Sequence, residues 1–179
     1  MSLKDHVSAG DIILCTPKNF IGNMIAKITF GRVNHAAIVY DSEKIFETDA
    51  DQFKAEFAPI EKYDNRNLLI IRADYINKNI QRVQRLCKLY RGQPYSYWDI
   101  ITNATFFFLT RHIRSKVVGI FGSKSHMVCS ELVARILYEA TENKIWRDFE
   151  GITPEDIRMI ALENPFEHSF KIYDGAKNK

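Results

Sequence analysis

Asn34-His35-Ala36-Ala37-Ile38-Val39-Tyr40-Asp41 is an apolar run with a histidine near its start, and Lys44-Ile45-Phe46-Glu47-Thr48-Asp49 follows after a short polar break. The two runs read as the arms of a β-hairpin turning at Ser42-Glu43-Lys44. Side chains alternate faces along a strand. His35 and Glu47 are twelve positions apart, so they share a face when the loop holds an odd number of residues. A three-residue loop, 41–43 or 42–44, meets that condition, and such loops are common. The imidazole and the carboxylate then become opposite or diagonal neighbours, within reach of a hydrogen bond. Asp49 has the same parity and is the reserve for the carboxylate role. Each residue alone is an ordinary strand side chain. The pair gains meaning only beside a nucleophile.

Ser125-His126-Met127-Val128-Cys129-Ser130-Glu131-Leu132-Val133-Ala134-Arg135-Ile136-Leu137 supplies one. Val128, Leu132, Val133, Ile136 and Leu137 recur at helical spacing and make one apolar stripe. Cys129 falls in the first turn of that helix, where backbone N–H groups lack partners and carry partial positive charge. Such a place favours thiolate over thiol. Cys129, His35 and Glu47 are thus a candidate Cys-His-acid set. The thiolate attacks a carbonyl, the imidazole takes and returns a proton, and the carboxylate fixes the imidazole's tautomer. N–H groups at the helix start are candidate oxyanion donors, with His126 a further candidate. Cys15 and Cys87 read as core residues, one at a strand end and one on a helical apolar face.

Around these segments the chain reads as strands and helices in alternation. Gly10-Asp11-Ile12-Ile13-Leu14-Cys15 is a turn and a strand, and 18–29 has the spacing of a short amphipathic helix closed by Gly31-Arg32. Residues 50–67 are polar, carry Pro59, and read as an irregular connection before the buried strand Leu68-Leu69-Ile70-Ile71-Arg72. Ile76 to Tyr90 reads as one helix stopped by Arg91-Gly92. A further helix is expected from Ser96 through Phe108, ending in the apolar patch Thr105-Phe106-Phe107-Phe108-Leu109. Thr153-Pro154-Glu155-Asp156 has the form of a helix N-terminus, with a capping Thr, Pro at the first position and acids after it. Phe170 to Tyr173 is expected as a closing strand.

The totals bound the function. The 179 residues fit a single domain over 1–179 with a core at about 10–173, and a 46% apolar content needs no staples. A net charge of +3, with scattered Lys and Arg, predicts no nucleic-acid partner. Three distant cysteines and no CxxC pair argue against a disulfide framework or a zinc site, and fit a reducing compartment. No run approaches a membrane span, and no signal sequence is visible. The expectation is a cytoplasmic protein, with secreted or phage-associated settings as alternatives.

Six short motifs, in order, resemble the permuted branch of the NlpC-type papain-like superfamily, the YiiX-like group. Gly10-Asp11-Ile12-Ile13 resembles its opening strand, Asn34 to Tyr40 its His strand, and Ile45-Phe46-Glu47-Thr48 the segment of the third residue. Gly92-Gln93-Pro94-Tyr95 resembles the Gly-x-Pro-Tyr before the nucleophile, Cys129-Ser130 the Cys-Ser at the helix start, and Thr153-Pro154-Glu155-Asp156-Ile157 the segment after it. Val128 and Glu131 stand where the family carries Asp and Gly. The resemblance implies an α+β, circularly permuted papain-like fold: an antiparallel sheet or small barrel packed against a cysteine-bearing helix. It implies a cysteine peptidase or amidase, catalytic Cys129, His35 and Glu47, and a substrate wall including Tyr95, Asn34, Ser130 and His126. No metal and no cofactor are expected. The implied substrate is a small peptide or amide, of the kind found in peptidoglycan. Two alternatives stand beside it: acyl transfer or thioester hydrolysis on a lipid, as in the lecithin retinol acyltransferase relatives, and a non-catalytic ligand-binding module of the same fold.

Overall fold

The computed structural model describes residues 2–17, 31–49, 54–94, 129–165 and 167–175. Six strands form one antiparallel sheet: β1 (Ile12–Cys15), β2 (His35–Val39), β3 (Lys44–Asp49), β4 (Lys54–Pro59), β5 (Asn67–Arg72) and β6 (Ser169–Asp174). Their order across the sheet is β4-β3-β2-β1-β5-β6. Four α-helices are described: α1 (Asp74–Lys78), α2 (Ile80–Tyr90), α3 (Cys129–Thr141) and α4 (Pro154–Glu163). The architecture is therefore α+β with an antiparallel sheet. The expected helices at 18–29 and from Ser96, with the Phe106–Leu109 patch, lie outside the described residues.

The two faces of the sheet bury different partners. Ile12, Leu14, Ala36, Ile38 and Phe46 point to one face and pack with Leu132, Val133, Ile136 and Leu137 of α3, Val83 and Cys87 of α2, and Ile157 of α4. Ile13, Cys15, Ala37, Val39 and Ile45 point to the other face and pack with Leu3, Ile60, Tyr63 and Tyr173. Each fully buried Ile or Leu contributes roughly 1.5–3 kcal/mol by leaving water. The strand pattern, apolar on both faces, is what a sheet covered on both sides requires.

The hairpin forms as its sequence predicts. Tyr40 N donates to Lys44 O at 2.9 Å, which leaves a three-residue loop at 41–43. Asp41 Oδ1 accepts from the N–H groups of Glu43 at 2.8 Å and Lys44 at 2.7 Å, the turn that an Asp side chain favours. Two expectations change. Residues 54–59 are not irregular: they form β4, the edge strand beside β3, where a terminal Pro and exposed charges cost nothing in ladder bonds. The single helix over 76–90 is two. Asn79 breaks it, with φ −109° and ψ 17°, while its Nδ2 donates to Tyr75 O at 2.8 Å. An Asn side chain bonded to the backbone competes with the helical ladder.

Candidate active site

β1 holds β2 along its whole length, with Cys15 opposite His35. β3 pairs with β2 only at Ile38↔Phe46 and Val39↔Ile45, and then stays with β4, where Glu47 faces Glu56. The ladder between β2 and β3 thus stops short of His35 and Glu47. Their side chains bridge the gap instead: His35 Nε2 lies 2.7 Å from Glu47 Oε2. The odd loop puts both on the face that carries Ala37 and Ile45.

Three donors converge on the Glu47 carboxylate, which is 2% exposed. Oε2 accepts from His35 and from the Tyr63 hydroxyl, and Oε1 accepts from Lys62 Nζ at 2.8 Å. A carboxylate out of water costs several kcal/mol unless its lone pairs are filled. Burial pushes the Glu47 carboxyl up, but His35 and Lys62 outweigh it and hold the group at about 2. Burial, followed by the negative charge near it, raises the Tyr63 phenol well above its ordinary value, so its proton stays and donates to Glu47. Lys62 and Tyr63 are the site residues that the sequence reading missed. They fall in a 3₁₀ turn, Ile60–Tyr63, inside the stretch read as irregular, and no motif marks them.

Cys129 opens α3 and is 6% exposed. Its side chain hydrogen-bonds His35. Burial works against a charged ring, yet the Cys129 sulfur, by charge and by hydrogen bond, and then Glu47 outweigh it. Together they lift His35 well above its ordinary value of 6.5. Nε2 is taken by Glu47, so Nδ1 is the nitrogen left to face the thiol. A hydrogen on Nε2 and a lone pair on Nδ1 is the tautomer a general base toward sulfur needs. His35 is the first residue of β2, and its side chain is 17% exposed, so solvent and small reactants can reach the ring.

The other cysteines are poor nucleophiles. Burial pushes the Cys15 thiol up to about 11 and the Cys87 thiol up to about 12. Glu131 does not turn on Cys129: its Oε1 accepts from Gly151 N at 2.7 Å. Ser130 departs from expectation. It is 1% exposed and its hydroxyl donates to Ile152 O at 2.6 Å, so it anchors the helix start rather than lining a substrate wall. Asn34 Oδ1 and Thr48 Oγ1 are each buried without a hydrogen-bond partner. Tyr95 and His126 lie outside the described residues, and so does the side chain of the reserve residue Asp49.

Comparison by sequence finds no matching family model and no matching curated protein. Comparison by structure finds the metalloprotein YiiX from Escherichia coli O157:H7, with a TM-score of 0.56 over 93% of this chain and 96% of that one, at 14% identity. The chain therefore has a YiiX-like fold. Among the described residues, no group of three or more His, Cys, Asp and Glu side chains is arranged so that it could hold a metal ion.

Proposed function

We propose that the protein is a cysteine hydrolase of the permuted papain-like, NlpC-type kind, cleaving an amide bond in a small peptide. The observation that carries this reading is one imidazole with two partners: Glu47 at 2.7 Å on Nε2, and the Cys129 side chain through a hydrogen bond. Cys129 Sγ attacks the carbonyl carbon as a thiolate. The tetrahedral intermediate collapses as the C–N bond breaks, and the His35 imidazolium gives its proton to the leaving amine. A water then attacks the thioester, His35 takes its proton, and the C–S bond breaks, so the acid leaves and the Cys129 thiolate and His35 imidazolium are restored. Glu47 holds the ring and stabilises the imidazolium throughout.

The substrate class, a γ-glutamyl or diamino-acid linkage of the peptidoglycan kind, is supported by the order of the six motifs. The test is hydrolysis of short γ-glutamyl amides by the parent chain and by Cys129→Ala. Turnover by the parent, with at least a 10³-fold loss in the variant, is expected from removal of the nucleophile. Turnover that survives in Cys129→Ala contradicts the reading. Turnover of thioesters or phospholipids but not of amides would move the assignment to acyl chemistry at the same thiol.

A further inference from the structure

The Glu47 carboxylate is more heavily engaged than orienting one imidazole requires. Oε2 is shared between His35 Nε2 and the Tyr63 hydroxyl, and Oε1 is held by Lys62 Nζ at 2.8 Å. Lys62 and Tyr63 are consecutive in the 3₁₀ turn that follows β4, so one short segment delivers both donors. The Tyr63 ring lies nearly parallel to the imidazole, at 5° and 6.4 Å between centroids, and walls it off. Every donor on a carboxylate weakens its pull on the next one. A buried carboxylate with only His35 as a partner would hold the imidazolium so firmly that its proton could not pass to a leaving amine near neutral pH.

Resting on the Cys-His-Glu reading above, we propose that Lys62 and Tyr63 are positioning residues that draw charge from Glu47, keeping His35 oriented yet able to give up its proton. Among the described residues, the other charged and titratable groups around the ring do not take this role. Glu56, opposite Glu47 on β4, is engaged by Arg91 at 2.6 Å and Lys54 at 3.3 Å. Arg66 sits over the Tyr63 ring at 5.5 Å, and its Nη2 donates to Thr16 O at 3.4 Å. Cys15, opposite His35 on β1, is a buried thiol held protonated. Cys129 on α3 is the ring's second partner. Lys62 is thus the cation whose ammonium bonds the carboxylate directly, and its side chain is 33% exposed, so its replacement leaves the core intact.

The experiment is a pH titration of the His35 ring by ¹⁵N NMR of histidine-labelled protein. It compares the parent with Cys129→Ser, Lys62→Met, Lys62→Arg and Tyr63→Phe. Lys62→Met is expected to raise the His35 midpoint by about one unit, the size of a nearby charge effect. Lys62→Arg is expected to restore the parent midpoint. Tyr63→Phe, which keeps the ring and loses only the hydroxyl, is expected to raise it by a smaller amount. A merely structural role would lower stability without raising the midpoint. An unmoved or lowered midpoint in both Lys62→Met and Tyr63→Phe, with parent His35 still answering to Cys129→Ser, overturns this inference alone. A parent midpoint that is ordinary and indifferent to Cys129→Ser overturns the hydrolase reading instead.

Discussion

Glu47 is the residue on which the site turns, and its protonation gives a stability signature. Its folded pKa is depressed to about 2 from an unfolded 4.5. A depressed carboxyl contributes stability that is complete above the unfolded value and is lost as pH falls toward the folded one. The contribution is about 3 kcal/mol from the pKa difference. Urea unfolding of the parent should therefore weaken between pH 4.5 and pH 2 by about that amount more than unfolding of Glu47→Gln. Parallel pH profiles for the two chains would contradict the buried-carboxylate account. His35 and Glu47 were legible in the sequence because strand parity is a strict rule, and a three-residue loop satisfies it. Lys62 and Tyr63 were not legible. Contact between a turn and the strand next to its neighbour depends on how β4 runs back along β3, which no local pattern records.

At the scale of elements, the position of Cys129 depends on what fixes the start of α3. The Ser130 hydroxyl donates to Ile152 O, and Glu131 accepts from Gly151 N. Both bonds reach the segment that leads into α4, whose own start is set by Thr153 in a capping box with Asp156. Gly151 has φ +74°, a conformation that suits glycine, so this short bridge is built around it. Ser130→Ala should cost about 1–3 kcal/mol in urea unfolding, since it leaves the buried Ile152 carbonyl without its donor. A variant as stable as the parent would show that α3 is held by packing alone. The Thr-Pro-Glu-Asp start of α4 was readable because caps are local. The Ser130 bond was not, and its Cys-Ser setting suggested a substrate-facing hydroxyl. β4 escaped notice because Lys54-Ala55-Glu56-Phe57-Ala58-Pro59 spreads charge and small residues over an edge strand, which needs little apolar surface.

Across the whole molecule, a few buried polar clamps tie distant parts of the chain to the sheet. Asp11, wholly buried, takes a two-pronged bond from Arg72, with Nε to Oδ1 at 2.8 Å and Nη2 to Oδ2 at 2.7 Å, locking the start of β1 to the end of β5. Trp146 Nε1 donates to the Tyr75 hydroxyl at 2.8 Å, and that hydroxyl bonds His168 Nε2 at 2.8 Å. This chain joins the loop after α3 to α1 and to the lead into β6. Gly175 follows directly after β6, and an added Cβ there would fall 2.4 Å from Asp64 O and 2.6 Å from Arg66 N. Gly175→Ala should therefore destabilise the chain by about 1–3 kcal/mol through overpacking against the turn after Tyr63, read as a lower Tm. An unchanged Tm would mean that β6 docks more loosely than its register indicates. The strands 12–15, 35–39, 44–49 and 67–72 could be read from alternation and apolar runs. The sheet order, and the meeting of α3 with the hairpin, could not, because they join residues far apart in the chain, such as Ile12 with Ile71 and Asn67 with Asp174.

The central claim is that Cys129 and His35 act as a pair steadied by Glu47. The most direct measurement is the rate of Cys129 alkylation by iodoacetamide across pH 4 to 10, in the parent and in His35→Gln. The account predicts that the parent is alkylated at Cys129 at least tenfold faster than His35→Gln at neutral pH, because the variant lacks the base beside the sulfur. Equal rates in the parent and in His35→Gln across the whole range would contradict it.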